Sequence, residues 1–423
     1  MKIILIYVGI GVAGFNVNRQ SIDREGSWIG HGIASVGASL KSAGYEVELI
    51  DLRQLSGWEQ FREKITNEQA NTYGLSVSAV DYHSALKAAN IIRVIHPESK
   101  IIVGGIHPSI FPDSYRNTNI DTVIVGEGEI TFVDLVKDIE IGNELPLKIQ
   151  GKKPNLDSIA WVDRELFNYK KEMECFFAPD QKTPSITMLA GRGCCFHCKF
   201  CQPAENAVFG LPCRMRSPEN VIGELRFLKD KYDFKSITFW DDTFTYNKKW
   251  IMQFCDLYEK ECFEATIAAC SRADIICKNE EIIERLASIG VDWLVIGFES
   301  GSQRILDLLE KGTTVEQNLN AAKICRKYNI KVFGTYMYGL PTETKEEALM
   351  TARMIDTIQP EHNSPFYFFP ITGTYIYDYC EENNLILDEA KTRSIARTDV
   401  FQPVLKGIDY DYLNKLRGGI YEI

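Results

Sequence analysis

No stretch of this sequence approaches the ~20 consecutive apolar residues that cross a bilayer, so no membrane span is expected. Basic residues are in deficit: 47 Lys and Arg stand against 58 Asp and Glu, a formal net charge of -11. A nucleic-acid groove needs the opposite surplus to neutralise phosphates, so no nucleic-acid partner is expected. The opening MKIILIYVGIGVAGF is apolar but carries no cleavage pattern, and reads as a first β-strand instead of a signal peptide. Internal repeats and low-complexity tracts are missing too. What remains is ordinary for a globular chain, with 45% hydrophobic and 25% charged residues. Its 423 residues suit two or three domains at roughly 100–200 residues each.

Cysteine is the exception to this plainness. Twelve cysteines without an export signal imply a reducing compartment, and the expected location is the cytoplasm. Eight of them, Cys175, Cys213, Cys255, Cys262, Cys270, Cys277, Cys325 and Cys380, lie apart and read as small buried apolar residues. The other four crowd into GRGCCFHCKFC as Cys194, Cys195, Cys198 and Cys201, beside His197.

The chain around them alternates strand and helix patterns. In residues 1–140, KIILIYV, YEVELIDL, TYGLSVS, KIIVGG and DTVIVGEG are short β-rich runs, with helical stretches near 30–43, 59–68, 83–95 and 130–139. Such alternation predicts an α/β domain with a parallel, doubly wound, Rossmann-like sheet whose ligand lies beyond the carboxyl ends of the strands. Residues 141–182 lose the rhythm and read as a linker. From 183 to 385 the alternation resumes as six longer β/α units, which suit a partial (β/α)6 barrel of the TIM type. Residues 386–423 form a short tail.

Three readings of the cysteine group compete. A structural zinc site needs four ligands, usually in two separated pairs. Cys195 and Cys198 offer one pair, but no distant Cys-x2-Cys or His-x3-His completes it. A ferredoxin run is Cys-x2-Cys-x2-Cys-x3-Cys-Pro, and its fourth position here is Glu205. The third register is Cys194-x3-Cys198-x2-Cys201, after a strand and a Gly-rich turn. Three thiolates hold three irons of a four-iron cluster and leave the fourth open to a small ligand. Cys195 is then a bystander, and His197 a neighbour or surface residue.

This last spacing, with the aromatic Phe200 before the final cysteine, resembles the radical S-adenosylmethionine (radical SAM) enzymes, and the resemblance extends over 184–385. It implies an oxygen-sensitive [4Fe-4S] cluster on Cys194, Cys198 and Cys201. It also implies reductive cleavage of S-adenosylmethionine (SAM) to a 5′-deoxyadenosyl radical, with an electron donor such as flavodoxin or ferredoxin as partner. By the same resemblance Asp241 and Asp242 hold the SAM ammonium, Arg272 its carboxylate or ribose, and Glu299 its ribose. PITGT at 370–374 resembles the loop that contacts adenine.

In the first domain, GIGVAG at 9–14 matches a dinucleotide fingerprint only superficially, because no helix pattern opens at once and no acid follows at the needed distance. VGGIHPSIFP at 103–112 and VIVGEGE at 123–129 instead resemble the cobalamin-binding domain that precedes many radical SAM barrels. Gly104, Gly105, Gly126 and Gly128 would let backbone approach a large flat ligand. His107 and Glu127 lie within the same strings, and Ser76 and Ser78 end the third strand where donors to a corinoid are needed. One departure stands out. The Asp-x-His-x2-Gly string that supplies a lower cobalt ligand in other cobalamin proteins reads DLRQLSG here, with Asp51 kept, Arg53 in place of His, and Gly57 one position late. Neither His31 nor His107 is read as a cobalt ligand.

The expected function is a cobalamin-dependent radical SAM methyltransferase acting on an unactivated carbon or phosphorus of a small molecule. Radical cyclisation, ring contraction or oxidation with the same cofactors is the alternative. A catalytically silent corinoid-binding protein is the third reading.

Overall fold

The computed structural model describes residues 1–15, 29–387 and 403–419. The segment NVNRQSIDREGSW at 16–28, which separates GIGVAG from the first helical pattern, lies outside them. The described chain forms two compact units: Met1–Cys175 with Ala204–Gly210, and the remainder from Phe176.

The first unit is built on six parallel strands: β1 (Lys2–Tyr7), β2 (Glu46–Asp51), β3 (Thr72–Ser76), β4 (Lys100–Gly104), β5 (Thr122–Val125) and β6 (Lys148–Gln150). Their order is β2-β1-β3-β4-β5-β6. The sequence KIILIY makes β1 a central strand because both of its faces are apolar; Ile3, Ile4, Leu5 and Ile6 are at most 1% exposed. The expected helices appear at His31–Ser42, Trp58–Asn67, Tyr82–Ile95 and Glu129–Glu140. Strand β6 falls inside the segment read as a linker. Three residues carry no periodicity, and this strand is recognisable only by its pairing of Ile149 with Ile124. The order reverses between β1 and β3, and loops at such a switch point form the ligand crevice of open α/β sheets.

The second unit carries β7 (Ser185–Met188), a short antiparallel pair β8 (Gly191–Arg192) and β9 (Arg214–Met215), then β10 (Ser236–Phe239), β11 (Thr266–Ser271), β12 (Val291–Glu299), β13 (Lys331–Tyr338) and β14 (His362–Tyr367). Six of these make one parallel sheet in sequential order, β7-β10-β11-β12-β13-β14, as a (β/α)6 partial barrel requires. Local chemistry sets the helix starts. Ser217 caps the Asn220 N–H ahead of Pro218, and Thr314 with Gln317 and Thr344 with Glu347 form reciprocal capping boxes. The segment read as a tail carries a helix, Tyr410–Arg417, that places Asn414 where it accepts from the Tyr367 hydroxyl at 2.7 Å, and Lys345 pairs with Asp409 at 2.7 Å.

Tyr336 and Tyr338, on β13, are 6% and 2% exposed and pack edge to face at 5.6 Å. Their role is packing.

Candidate functional site

In the second unit the cysteine loop follows β8. Cys198 is buried, Cys194 is half-buried, and Cys195 and Cys201 are exposed. His197 is exposed as well. Arg272, at the carboxyl end of β11, is 5% exposed and reaches into this loop. Its Nη1 donates to Cys198 Sγ at 3.6 Å, its Nη2 to the Lys311 carbonyl at 2.5 Å, and its Nε to Asp274 at 3.0 Å. The guanidinium lies 3.6 Å from the Phe196 ring centroid, a close cation–π contact.

Glu299 ends β12 through a register shift after Gly297. Its φ of 60° is unusual for a residue with a side chain, and such strain concentrates at functional positions. Its carboxylate accepts from Lys311 Nζ at 2.7 Å, and both side chains are about nine-tenths buried. Burial works to lower the Lys311 pKa, but Glu299 and Cys198 outweigh it and raise the ammonium above its usual value. Lys311 escaped the sequence reading because a lysine before a glycine in EKGTT looks like any surface lysine.

Asp241 is engaged by the backbone of the preceding turn. It is buried, its Oδ2 accepts the Ala190 N–H at 2.9 Å, and the Gly191 N–H also points at it. The carboxylate therefore locks the turn between β7 and β8 that launches the cysteine loop, and its neighbour Asp242 is exposed. Burial pushes Asp241 up to about 7 despite the two amides. The folded chain then holds a proton that the unfolded chain releases at its ordinary value of 3.8. Folded Asp241 binds more protons through that window, so stability falls as pH rises from about 4 to about 7. Asp241→Asn mimics the protonated acid. Urea denaturation of this variant across that range is expected to show a flatter pH dependence than wild type.

The two residues that follow PITGT are stitched to the cysteine loop by backbone. Tyr375 N donates to Gln202 O at 2.9 Å and Ile376 N to Lys199 O at 3.1 Å, while Thr374 caps the following helix.

In the first unit, Ser76, Gly104 and Val125 end β3, β4 and β5, so the candidate corinoid contacts share one edge of the sheet. Gly105 has φ 109°, and a Cβ there would sit 2.8 Å from the Val77 carbonyl, so glycine is required. A Cβ at Gly104 would meet nothing nearer than Ile124 Cβ at 3.9 Å, which leaves that strand end accessible. Gly126 N donates to Ser109 Oγ at 2.8 Å, Gly128 caps the helix Glu129–Glu140, and Glu127 is buried between them. Ser78 is engaged locally, donating to Asp81 at 2.6 Å. Asp81 in turn accepts the Gly11 N–H at 2.8 Å, so the GIGVAG loop is held by protein.

Arg53 is 2% exposed, forked onto Asp51 at 2.9 and 2.7 Å, and stacked 4.5 Å from the Tyr7 centroid. The position that could have held an imidazole is a closed structural ion pair. His107 shares a hydrogen bond with the Tyr115 hydroxyl at 2.9 Å and stacks on Tyr82 at 4.5 Å. Burial, helped by His83, pushes it down to about 4.

Comparison with known proteins follows the same division. The profile of the Radical SAM superfamily matches residues 188–355, and that of the B12 binding domain matches 22–136. The chain carries a radical SAM domain and a B12-binding domain. It is 28% identical over 387 residues to the "Uncharacterized methyltransferase PH0819" of Pyrococcus horikoshii, covering 87% of this chain and 81% of that one. It is 24% identical to the "Anaerobic magnesium-protoporphyrin IX monomethyl ester cyclase" of Rubrivivax gelatinosus, covering 95% and 76%. Among solved structures, that of the cobalamin-dependent SAM radical enzyme OxsB with aqua-cobalamin and SAM bound superposes with a TM-score of 0.75 at 17% identity. That match covers 99% of this chain and 66% of OxsB, so a third of the OxsB chain has no counterpart here.

The two domain types imply an iron–sulfur cluster, SAM and cobalamin, and the residues of this chain fit them. Among the described residues no three His, Cys, Asp or Glu converge on a single metal ion. A four-iron cluster asks for something else, since each thiolate meets a different iron. Soft thiolates on one loop, with Arg272 and Lys311 supplying positive charge beside them, are a suitable donor set. No described helix is long and apolar enough to cross a membrane.

Proposed function

We propose that this radical SAM protein methylates an unactivated carbon, or a phosphorus centre, of a small molecule, using SAM, a [4Fe-4S] cluster on Cys194, Cys198 and Cys201, and cobalamin. The observation that carries the reading is the cysteine loop, with Arg272 donating to Cys198 Sγ and the Glu299–Lys311 pair beside it. When bound, the cluster and SAM supply a radical able to remove an unactivated hydrogen, and cobalamin supplies methyl transfer. The chain's part is to hold and shield. Arg272 keeps a cation on the cluster side, Glu299 offers a fixed carboxylate to the ribose hydroxyls, and Asp242 offers its charge to the ammonium. Gly104 leaves its strand end open toward the corinoid, and the closed Asp51–Arg53 pair leaves it without a histidine ligand from that loop. The reductant fits a small electron-transfer protein of the flavodoxin or ferredoxin kind.

Cyclisation or oxidation with the same cofactors is the second reading, and the cyclase match over 95% of the chain favours it.

Anaerobic purification and reconstitution with hydroxocobalamin tests the reading. About four irons and one cobalt per chain are expected, followed by a methyl mass gain in the product. Iron without cobalt would remove cobalamin chemistry, and loss of hydrogens without a methyl gain would favour the second reading.

A further inference from the structure

Between Glu299 and the helix Val315–Lys327 lies a turn at 309–313 that no motif flags. Its backbone enters the left-handed region at Glu310 (φ 48°) and Gly312 (φ 72°). Three successive residues of this turn are fastened to the cysteine loop or to the arginine that touches it. Leu309 O accepts the Lys199 N–H at 2.9 Å, Glu310 pairs with the Lys199 ammonium at 3.0 Å, and Lys311 O accepts from Arg272 at 2.5 Å. The Lys311 side chain then turns inward. Its ammonium is 2.7 Å from Glu299 Oε1 and 5.6 Å from the Phe200 centroid, one residue before Cys201. Only 7% of the residue is exposed. Burying a lysine this deeply carries a large desolvation cost, which only close opposite charge offsets. Glu299 is one such charge, and a thiolate-ligated cluster would be the other.

We propose that Lys311 is a positioning residue that locks the cysteine loop to Glu299. Its backbone braces Arg272 against Cys198, and its side chain fixes the strained Glu299 carboxylate for SAM while placing a cation beside the cluster. This rests on the cluster assignment above. It predicts a sign pattern that a purely structural lysine would not produce. Lys311→Met removes the cation and leaves Glu299 uncompensated, so the cluster midpoint potential moves to the negative side of wild type. Glu299→Gln leaves the ammonium uncompensated, so the midpoint moves to the positive side. Lys311→Arg keeps both charges and stays close to wild type.

The experiment is an EPR-monitored redox titration of reconstituted wild type and these variants, with SAM affinity measured on the oxidised proteins without turnover. Affinity is expected to fall about tenfold in Lys311→Met and in Glu299→Gln, and no further in the double variant, because coupled partners are non-additive. A Lys311→Met midpoint equal to or above wild type, or penalties that multiply in the double variant, would overturn the proposal. If Lys311→Met fails to hold iron, Glu299→Gln decides, and the absence of a positive shift overturns it. Wild type that takes up no iron overturns the cluster assignment itself. Wild type with about four irons and unresponsive variants overturns the role of Lys311 alone.

Discussion

Cys198→Ala is expected to abolish 5′-deoxyadenosine formation and to leave the reconstituted protein well short of four irons per chain. Of the four clustered cysteines only Cys198 is buried. Its sulfur receives the Arg272 guanidinium at 3.6 Å, which places a cation directly beside it. Cys195, by contrast, is exposed in the same loop, one residue after Cys194. Cys195→Ala is therefore the matched control, with iron content and 5′-deoxyadenosine yield close to wild type. The two variants change the same chemistry within four residues of one another, so the comparison separates loss of a ligand from damage to the loop. Wild-type turnover in Cys198→Ala, or loss of iron in Cys195→Ala with Cys194→Ala intact, would overturn the register Cys194-x3-Cys198-x2-Cys201.

That register could be proposed from the sequence because thiolates at fixed spacing after a strand leave few alternatives. The elements were legible for a related reason: KIILIY and DWLVIGF are long enough, and apolar enough on both faces, to announce central parallel strands. Other features depend on tertiary contacts, which periodicity cannot carry. Strand β6 is three residues long. Asp241 was read as a ligand-binding acid, but two backbone amides at 190–191 engage it across 51 positions of chain. Arg53 could be seen as a missing histidine, yet its fork onto Asp51 and its stacking on Tyr7 needed coordinates. Lys311 was invisible for the same reason. Nothing local distinguishes a lysine that will be buried against Glu299 from one that will be solvated.

Arg272→Met is expected to lower the rate of 5′-deoxyadenosine formation by on the order of 100-fold or more, at little cost to the first unit. The guanidinium makes three polar contacts at once, to Cys198 Sγ, the Lys311 carbonyl and Asp274, and covers Phe196. No neutral side chain replaces these, and a broken buried ion pair costs about 3–5 kcal/mol, equivalent to at least ~100-fold in a rate where the loss falls on the transition state. Arg272→Lys keeps the charge but not the planar fork. One ammonium cannot span the sulfur and the carbonyl together, so an intermediate loss of about tenfold is expected. Cobalt content separates the two ways of failing. Arg272 belongs to the second unit, so a variant that has lost only the brace on Cys198 still binds hydroxocobalamin like wild type while its iron content and SAM cleavage fall. A variant that loses cobalt and iron together has unfolded. A methionine variant that keeps wild-type cleavage would show that Cys198 needs no cation beside it, and that the guanidinium serves the turn at 309–313 instead of the cluster.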